Sequence, residues 1–157
     1  MTTTLTTAEL EHAAGRELGA TAWHAIDQER VNLFAEATGD RQWIHVDPER
    51  AARELPGKTT IAHGFLTLSL VSALAGRAMA FPGVQMAVNY GMNRLRFVSP
   101  VPAGSRIRAR FSPLAVLSLA GGGLQVTWKV VVEREGGERP CCVAEWLVRY
   151  HERPSGS

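Results

Sequence analysis

Cysteine is nearly absent from this chain, and its two copies, Cys141 and Cys142, are adjacent. Neighbouring side chains of an extended segment point to opposite faces, so a disulfide between these two is not expected. The low count excludes a disulfide framework as the basis of the fold. Two thiols this close indicate a reducing compartment.

The chain also lacks a hydrophobic run long enough to cross a membrane and lacks a strong excess of charge. The longest apolar stretch, 61–76, contains four polar residues and is shorter than the roughly 20 residues that a bilayer requires. The Thr-rich start, 1–7, has none of the basic residues that begin a secretory signal. A formal net charge of +2 is too small to indicate nucleic acid. We therefore expect a cytoplasmic protein with no membrane or nucleic-acid partner.

The length of 157 residues favours a single domain with its own core. We expect a flexible segment and a short helix at 1–14, the helix capped by Thr7 and covering 8–14. The single domain should span 15–151, and 152–157 should form a flexible tail.

Two further helices are predicted before residue 60. Asp27 is a good N-cap for a helix over 28–38, and Gly39 supplies the left-handed position that follows a helix. Asp47 before Pro48 starts a second helix, with proline in the first helical position. The stretch between the two helices is expected to be irregular.

The rest of the chain predicts an antiparallel sheet around a buried helix. Segment 64–79 is apolar almost all round, which is typical of a helix enclosed by its domain. From residue 84 onwards apolar and polar residues alternate, as in strands with one buried face, and Gly121-Gly122-Gly123 is predicted as a hairpin loop. These features predict an α+β fold. The predicted strands are 84–98, 104–113, 124–134 and 141–151, after an extended piece at 18–26.

Asp40 and His45 are the candidates for chemistry. A carboxylate and an imidazole five residues apart, between two helices, can aim both side chains at one water molecule, and histidine titrates near neutral pH. Asp47 is better explained as a helix cap than as a metal ligand, and His63 as a structural residue before the buried helix. We therefore expect no metal.

Three stretches of the chain form one compound pattern. The first is Thr38-Gly39-Asp40-x-Gln42-Trp43-Ile44-His45-Val46-Asp47. The second is Ile61-Ala62-His63-Gly64-Phe65-Leu66. The third combines Asn89-Tyr90-Gly91 with Arg96-Phe97-x-x-Pro100-Val101-x-x-Gly104. This pattern spreads over much of the chain and resembles the MaoC-like (R)-specific enoyl-CoA hydratases, most of all their branch with the nodulation protein N-like proteins.

The resemblance implies a hot-dog fold, usually dimeric, that adds water to a trans-2-enoyl thioester and gives the (3R)-3-hydroxyacyl product without a cofactor. By motif position, Asp40 and His45 are the catalytic pair, the backbone N–H of Gly64 faces the thioester carbonyl, and Ser72 lines the pocket. Gly64 also opens the buried helix, where unpaired N–H groups point outwards. Trp43 stands where relatives usually have proline, and it forms either a wall of the acyl pocket or ordinary packing.

Several alternatives stay open at this point. The substrate is expected to be an acyl-CoA or an acyl carrier protein thioester, and the assembly a homodimer joined through edge strands. The same fold also supports an acyl-CoA thioesterase, and a non-catalytic acyl-binding or dehydratase-partner subunit is a further rival. Arginines alternate along two strands, at Arg94, Arg96, Arg106, Arg108 and Arg110, either on a solvated sheet face or facing the phosphates of coenzyme A.

Overall fold

A computed structural model describes residues 2–120 and 122–152. Within them, the helices are Thr7–Glu11 (α1), Gln28–Thr38 (α2), Trp43–Val46 (α3), Pro48–Glu54 (α4) and Gly64–Ala78 (α5). The strands are Thr3–Thr4 (β1), Gly19–Ala20 (β2), His24–Ile26 (β3), Met79–Ala80 (β4), Val84–Phe97 (β5), Ser105–Ser118 (β6), Leu124–Arg134 (β7) and Cys142–Glu152 (β8).

One antiparallel sheet dominates the molecule. Its strands follow the order β2-β6-β7-β8-β5, and β3 pairs with β6 beside β2. The short strands β1 and β4 form a separate parallel pair. The α+β prediction is confirmed, and so is the prediction that the long strands pair in antiparallel fashion. The order leaves β5 at one edge of the sheet.

The core lies between α5 and one face of this sheet. Every second side chain of β7 from Leu124 to Val132 is buried, and Trp128 pairs in register with Trp146 of β8. Burying one such large apolar side chain contributes about 1.5–3 kcal/mol. The apolar composition of α5 follows from its enclosure, with Leu74 only 1% exposed.

The predicted caps on either side of residue 40 are confirmed. The Asp27 side chain accepts a hydrogen bond from the Arg30 N–H at 2.8 Å at the start of α2. Gly39 adopts a φ of 79°, which ends α2 in the left-handed region that glycine tolerates best. The Asp47 side chain caps α4 by accepting from the Arg50 N–H at 2.9 Å.

The sequence predicts an irregular stretch between these helices, but part of the stretch is helical. It contains α3, a single helical turn that follows Gln42 and includes His45. A helix this short has no apolar repeat, and Gln42 provides no side-chain cap, so neither of the usual sequence signals marks it.

Strand β6 ends five residues later than predicted, at Ser118 instead of Pro113. In the structure the register shifts between Pro113 and Ala115, and such an irregularity tolerates a residue without an N–H.

Both ends of the chain differ from the prediction or lie outside the structure. Thr6, not Thr7, caps α1, in a reciprocal pair with Glu9, and Leu10 is fully buried in the core. The predicted glycine hairpin includes Gly121, and the predicted tail includes 153–157, all outside the described residues.

None of the described helices is both long and apolar enough to cross a membrane.

Candidate active site

Asp40 begins the loop that follows α2. Because Gly39 ends the helix with a left-handed turn, the Asp40 side chain is exposed and its backbone turns towards α5. Its carbonyl accepts a hydrogen bond from His63 Nε2 at 2.9 Å. A carboxylate oxygen of Asp40 and one ring nitrogen each of His45 and His63 lie within 4.8 Å of one another. The two side chains selected from the sequence therefore come together, and His63 joins them.

His45 is buried and held from two sides. Its Nδ1 lies 2.6 Å from the Ile61 carbonyl, and Gln28 Nε2 donates to the His45 carbonyl at 2.7 Å. The Ile61 N–H in turn donates to the Ile44 carbonyl at 3.0 Å. Since a carbonyl only accepts, Nδ1 of His45 carries the proton in this pair, and Nε2 keeps its lone pair in the neutral ring.

The surroundings of His45 favour its neutral form. Burial lowers the pKa of His45 below the ordinary value of 6.5. The hydrogen bond to Ile61 and the charge of Asp40 oppose this shift, and the electrostatic interaction with the His63 ring reinforces it. The net direction is down, so Nε2 of His45 is able to accept a proton at neutral pH.

His63 packs directly against His45. The two ring centroids are 3.8 Å apart with an interplanar angle of 27°, which is a stacked arrangement. The ring of Phe34 packs against His63, with 5.0 Å between the two ring centroids. The sequence indicated a structural role for His63, and its contact with both candidates appears only in the structure. Its position immediately before Gly64 was the available signal.

Gly64 is the first residue of α5, and no side chain caps this helix start. The Thr67 N–H donates to the His63 carbonyl at 3.2 Å, whereas the N–H of Gly64 belongs to the first turn and has no partner within the helix. A Cβ at Gly64 would lie 2.7 Å from Cδ2 of Phe97. The backbone is therefore packed too closely against this ring for any larger residue to fit without movement.

A cavity of about 280 Å³ lies next to His45 and Gly64, and neither Asp40 nor His63 lines it. His45 and Gly64 line it together with Thr67, Phe97 and Cys141. Burial raises the pKa of the Cys141 thiol to about 11, so this cysteine is a poor nucleophile at neutral pH. The cavity therefore offers a base and a backbone donor, without an activated thiol.

Ser72 and Trp43 do not line this cavity. Ser72 is exposed and borders two other cavities near Trp146. Eight residues of helix place Ser72 about 12 Å from Gly64, whereas Thr67 lies one turn away and reaches the cavity. Trp43 is half-buried and packs under the guanidinium of Arg50, 4.1 Å from its ring centroid.

Asp40, His45 and His63 have the composition of a metal site, but the rings are poorly oriented for one. An imidazole lone pair lies in the plane of its ring, and a bound ion sits about 2 Å from the nitrogen along that plane. Two rings stacked 3.8 Å apart cannot both direct lone pairs at one ion without leaving their planes. The arrangement suits acid–base chemistry better.

The arginines of β6 face carboxylates. Arg106 contacts Glu135 at 2.6 Å, and Arg108 and Arg110 contact Glu133 at 2.7 and 3.0 Å. These ion pairs favour the interpretation of this row as a solvated sheet face over the interpretation as a phosphate site.

Comparison with known proteins covers nearly the whole chain. A family model described as the MaoC like domain matches residues 9–133. The 3-hydroxyacyl-thioester dehydratase Z of Mycobacterium tuberculosis is 54% identical over 143 residues, or 91% of this chain and 94% of that protein. Nodulation protein N of Rhizobium leguminosarum bv. viciae is 46% identical over 158 aligned positions, covering 97% of this chain and 98% of the relative.

Comparison with solved structures agrees with the predicted fold. The MaoC-like dehydratase from Rhodospirillum rubrum superposes with a TM-score of 0.75 at 23% identity, covering 96% of this chain and 99% of the other. The unliganded R-hydratase PhaJ1 from Pseudomonas aeruginosa has a TM-score of 0.70 at 26% identity, with 89% and 83% covered. The predicted hot-dog fold is confirmed. The chain therefore belongs to the MaoC-like dehydratase family and is an enzyme of the hydro-lyase type.

Proposed function

We propose that this protein catalyses the reversible addition of water to a trans-2-enoyl-CoA, giving the (3R)-3-hydroxyacyl-CoA. The observation that carries the proposal is the convergence of a carboxylate oxygen of Asp40 with a ring nitrogen of His45, where His45 and Gly64 line the same cavity. The similarity to a 3-hydroxyacyl-thioester dehydratase over nearly the full length supports the same class of substrate.

The geometry supports a simple reaction scheme. Asp40 and His45 together take a proton from water, and the water oxygen bonds to the β carbon of the enoyl group. The electron pair of the double bond then moves towards the thioester, and the N–H of Gly64 stabilises the negative charge on its oxygen. The pair returns a proton to the α carbon. Because the two groups are coupled, the proton is assigned to the pair and not to one residue.

Substrate binding by Ser72 and Trp43 remains part of the proposal. Ser72 lies farther along α5 than the cavity of His45, and its role is to border a long acyl chain that extends past Thr67. Trp43 would act at the surface beside His45, where its ring is held by Arg50. An acyl carrier protein is the alternative carrier of the same thioester.

The assembly that we propose is a cytoplasmic homodimer joined at β5. Among the described strands β5 pairs with β8 alone, and apolar side chains near it are exposed. Among them are Phe65 (64% exposed) and Phe97 (43%), whose rings meet edge to face beside the cavity. Pairing of two β5 strands would satisfy the free edge and cover these rings. The two free thiols, both buried, fit a reducing compartment.

The proposal is tested by following the enoyl absorbance of trans-2-enoyl-CoAs of short and medium length. Asp40→Asn and His45→Gln are each expected to lower kcat by at least about 10²-fold, because each removes a positioned proton-transfer group. His12→Gln, on an exposed histidine, is the matched control and should keep wild-type activity.

The rivals give different results in the same assay. Release of free thiol without loss of enoyl absorbance would identify a thioesterase. Binding of acyl-CoA without turnover would identify a non-catalytic subunit. Wild-type turnover that survives both Asp40→Asn and His45→Gln would refute the assigned pair.

A further inference from the structure

One residue, His63, links the three parts of the site described above. It directly precedes Gly64, its ring stacks on His45, and its Nε2 bonds to the Asp40 carbonyl. Only 3% of its surface is exposed, so its ring has little freedom to move. No other residue named for this site contacts both Asp40 and His45 and also adjoins the start of α5.

The hydrogen bonding of His63 defines its tautomer. The Asp40 carbonyl only accepts, so Nε2 of His63 carries the proton and donates at 2.9 Å. Nδ1 is buried and has no hydrogen-bond partner among the described residues. A second N–H at that position would be buried without an acceptor, which costs free energy. The neutral ring with its proton on Nε2 therefore fits these surroundings.

We propose that His63 is a positioning residue of the active site, whose neutral ring supports the ring of His45 and whose Nε2–H fixes the backbone of Asp40. The inference rests on the proposed function, because it concerns the same catalytic pair. His63 does not line the cavity, so it acts through its neighbours and not on the substrate.

The two contacts affect different atoms. Stacking restrains tilting of the His45 ring about its bond to the Ile61 carbonyl, and so holds the direction of Nε2 relative to the cavity that His45 lines. The hydrogen bond holds the start of the Asp40 loop next to α5, within reach of His45. Misplacement of a catalytic group by about 1 Å can cost about 10²-fold in rate, so this support is worth measuring.

Three substitutions separate the two contacts. His63→Phe keeps an aromatic ring against His45 and removes the donor to Asp40. His63→Gln keeps an N–H able to reach the Asp40 carbonyl and removes the stacking ring. His63→Ala removes both. His12→Gln is the exposed control.

The full-length variants are assayed for hydration of a trans-2-enoyl-CoA after circular dichroism has confirmed folding. We expect kcat to fall about 10-fold in His63→Phe and in His63→Gln and about 10²-fold in His63→Ala, with KM within about threefold of wild type. A residue that only stabilises the fold would lower Tm and leave the kcat of the folded protein unchanged. Folded Phe and Gln variants with kcat within about twofold of wild type, or with the loss confined to KM, overturn the proposal.

A second measurement does not depend on activity. Long-range ¹H–¹⁵N spectra report which ring nitrogen of each histidine carries the proton. His45 is expected to show a single Nδ1–H tautomer in the wild type and in His12→Gln, and a mixture in His63→Ala, where the ring is free to tilt. Unchanged His45 signals in His63→Ala overturn the positioning role. A wild type without hydratase activity but with the expected spectra would refute the proposed function alone.

Discussion

At the residue scale, the proposed chemistry depends on the ring nitrogen of His45 that does not contact the Ile61 carbonyl. Its Nδ1 is bound to the Ile61 carbonyl, a neighbour that accepts a proton in a hydrogen bond and never supplies one. The only nitrogen left for exchange with water is Nε2. The second residue of the pair, Asp40, is exposed, which lets it share the proton with solvent between turnovers. Burial of the imidazole and exposure of the carboxylate thus give the two members of the pair different contact with solvent.

The depressed pKa of His45 leads to a prediction about pH. The free protein must hold His45 neutral to accept a proton, and burial extends the neutral form to pH values below 6.5. Activity should therefore be constant at neutral pH and fall with acid, with the midpoint of the fall below 6.5. The measurement is kcat/KM for a trans-2-enoyl-CoA from about pH 5 to about pH 8, which reports groups of the free enzyme.

The midpoint of the acid limb tests whether burial lowers the pKa of His45. A midpoint at or above the ordinary value of 6.5 would contradict the burial argument. The control variant His12→Gln should show the same acid limb as the wild type, since that side chain is exposed and far from the pair in sequence.

At the scale of elements, the start of α5 supplies the backbone N–H donor of the proposed reaction. A helix that begins without a side-chain cap leaves its first N–H groups available, and Gly64 removes the side chain that would shield them. The ring of Phe97 then packs directly on the glycine, 2.7 Å from where a Cβ would lie. Substitution at this position should therefore disturb catalysis before it disturbs the fold.

Gly64→Ala is expected to lower kcat for enoyl-CoA hydration by at least about 10-fold, because the methyl group displaces the Phe97 ring and hinders approach to the amide. Phe97 is 43% exposed, so its ring can move and the loss of Tm should be small. The double variant Gly64→Ala with Phe97→Ala removes the steric contact. Recovery of kcat in the double variant would show that the contact with the ring, and not access to the amide, matters.

The helices that flank Asp40 could be predicted because their ends carry strong local signals. Asp27, Gly39 and Asp47 each act at the position the sequence indicated. The stacking of His63 on His45 could not be predicted, since it joins residues 18 positions apart through the bond between Asp40 and the start of α5. The turn α3 is likewise set by its bonds to Ile61 and Gln28, which are distant in sequence.

The limits of motif transfer appear in the same helix. Ser72 was assigned by resemblance, and its position along α5 places it beside other cavities, whereas Thr67 borders the one with His45. The spacing of three residues from Gly64 was the sequence signal for Thr67. Position along a helix axis, at about 1.5 Å per residue, decides which cavity a side chain reaches.

At the scale of the whole molecule, β5 forms an edge of the sheet that no other described strand covers. The strand is paired with β8 on one side, and among its exposed apolar residues are Met86 (52%) and Val88 (39%). A two-fold axis would pair β5 with its own copy in antiparallel fashion, extend the sheet across the dimer and bring Phe65 of each chain under cover.

This arrangement predicts the mass of the particle. Analytical ultracentrifugation of the wild type should give about twice the 17.1 kDa of one chain. Met86→Glu combined with Val88→Glu puts like charges on both strands of the junction, and should shift the protein towards the single-chain mass at micromolar concentration. Leu117→Glu is the matched control, because Leu117 is also apolar and exposed but lies on β6. This substitution should leave the dimer intact. A dimer that survives the paired charges on β5 would place the interface elsewhere, and Phe65 and Phe97 would then need another cover.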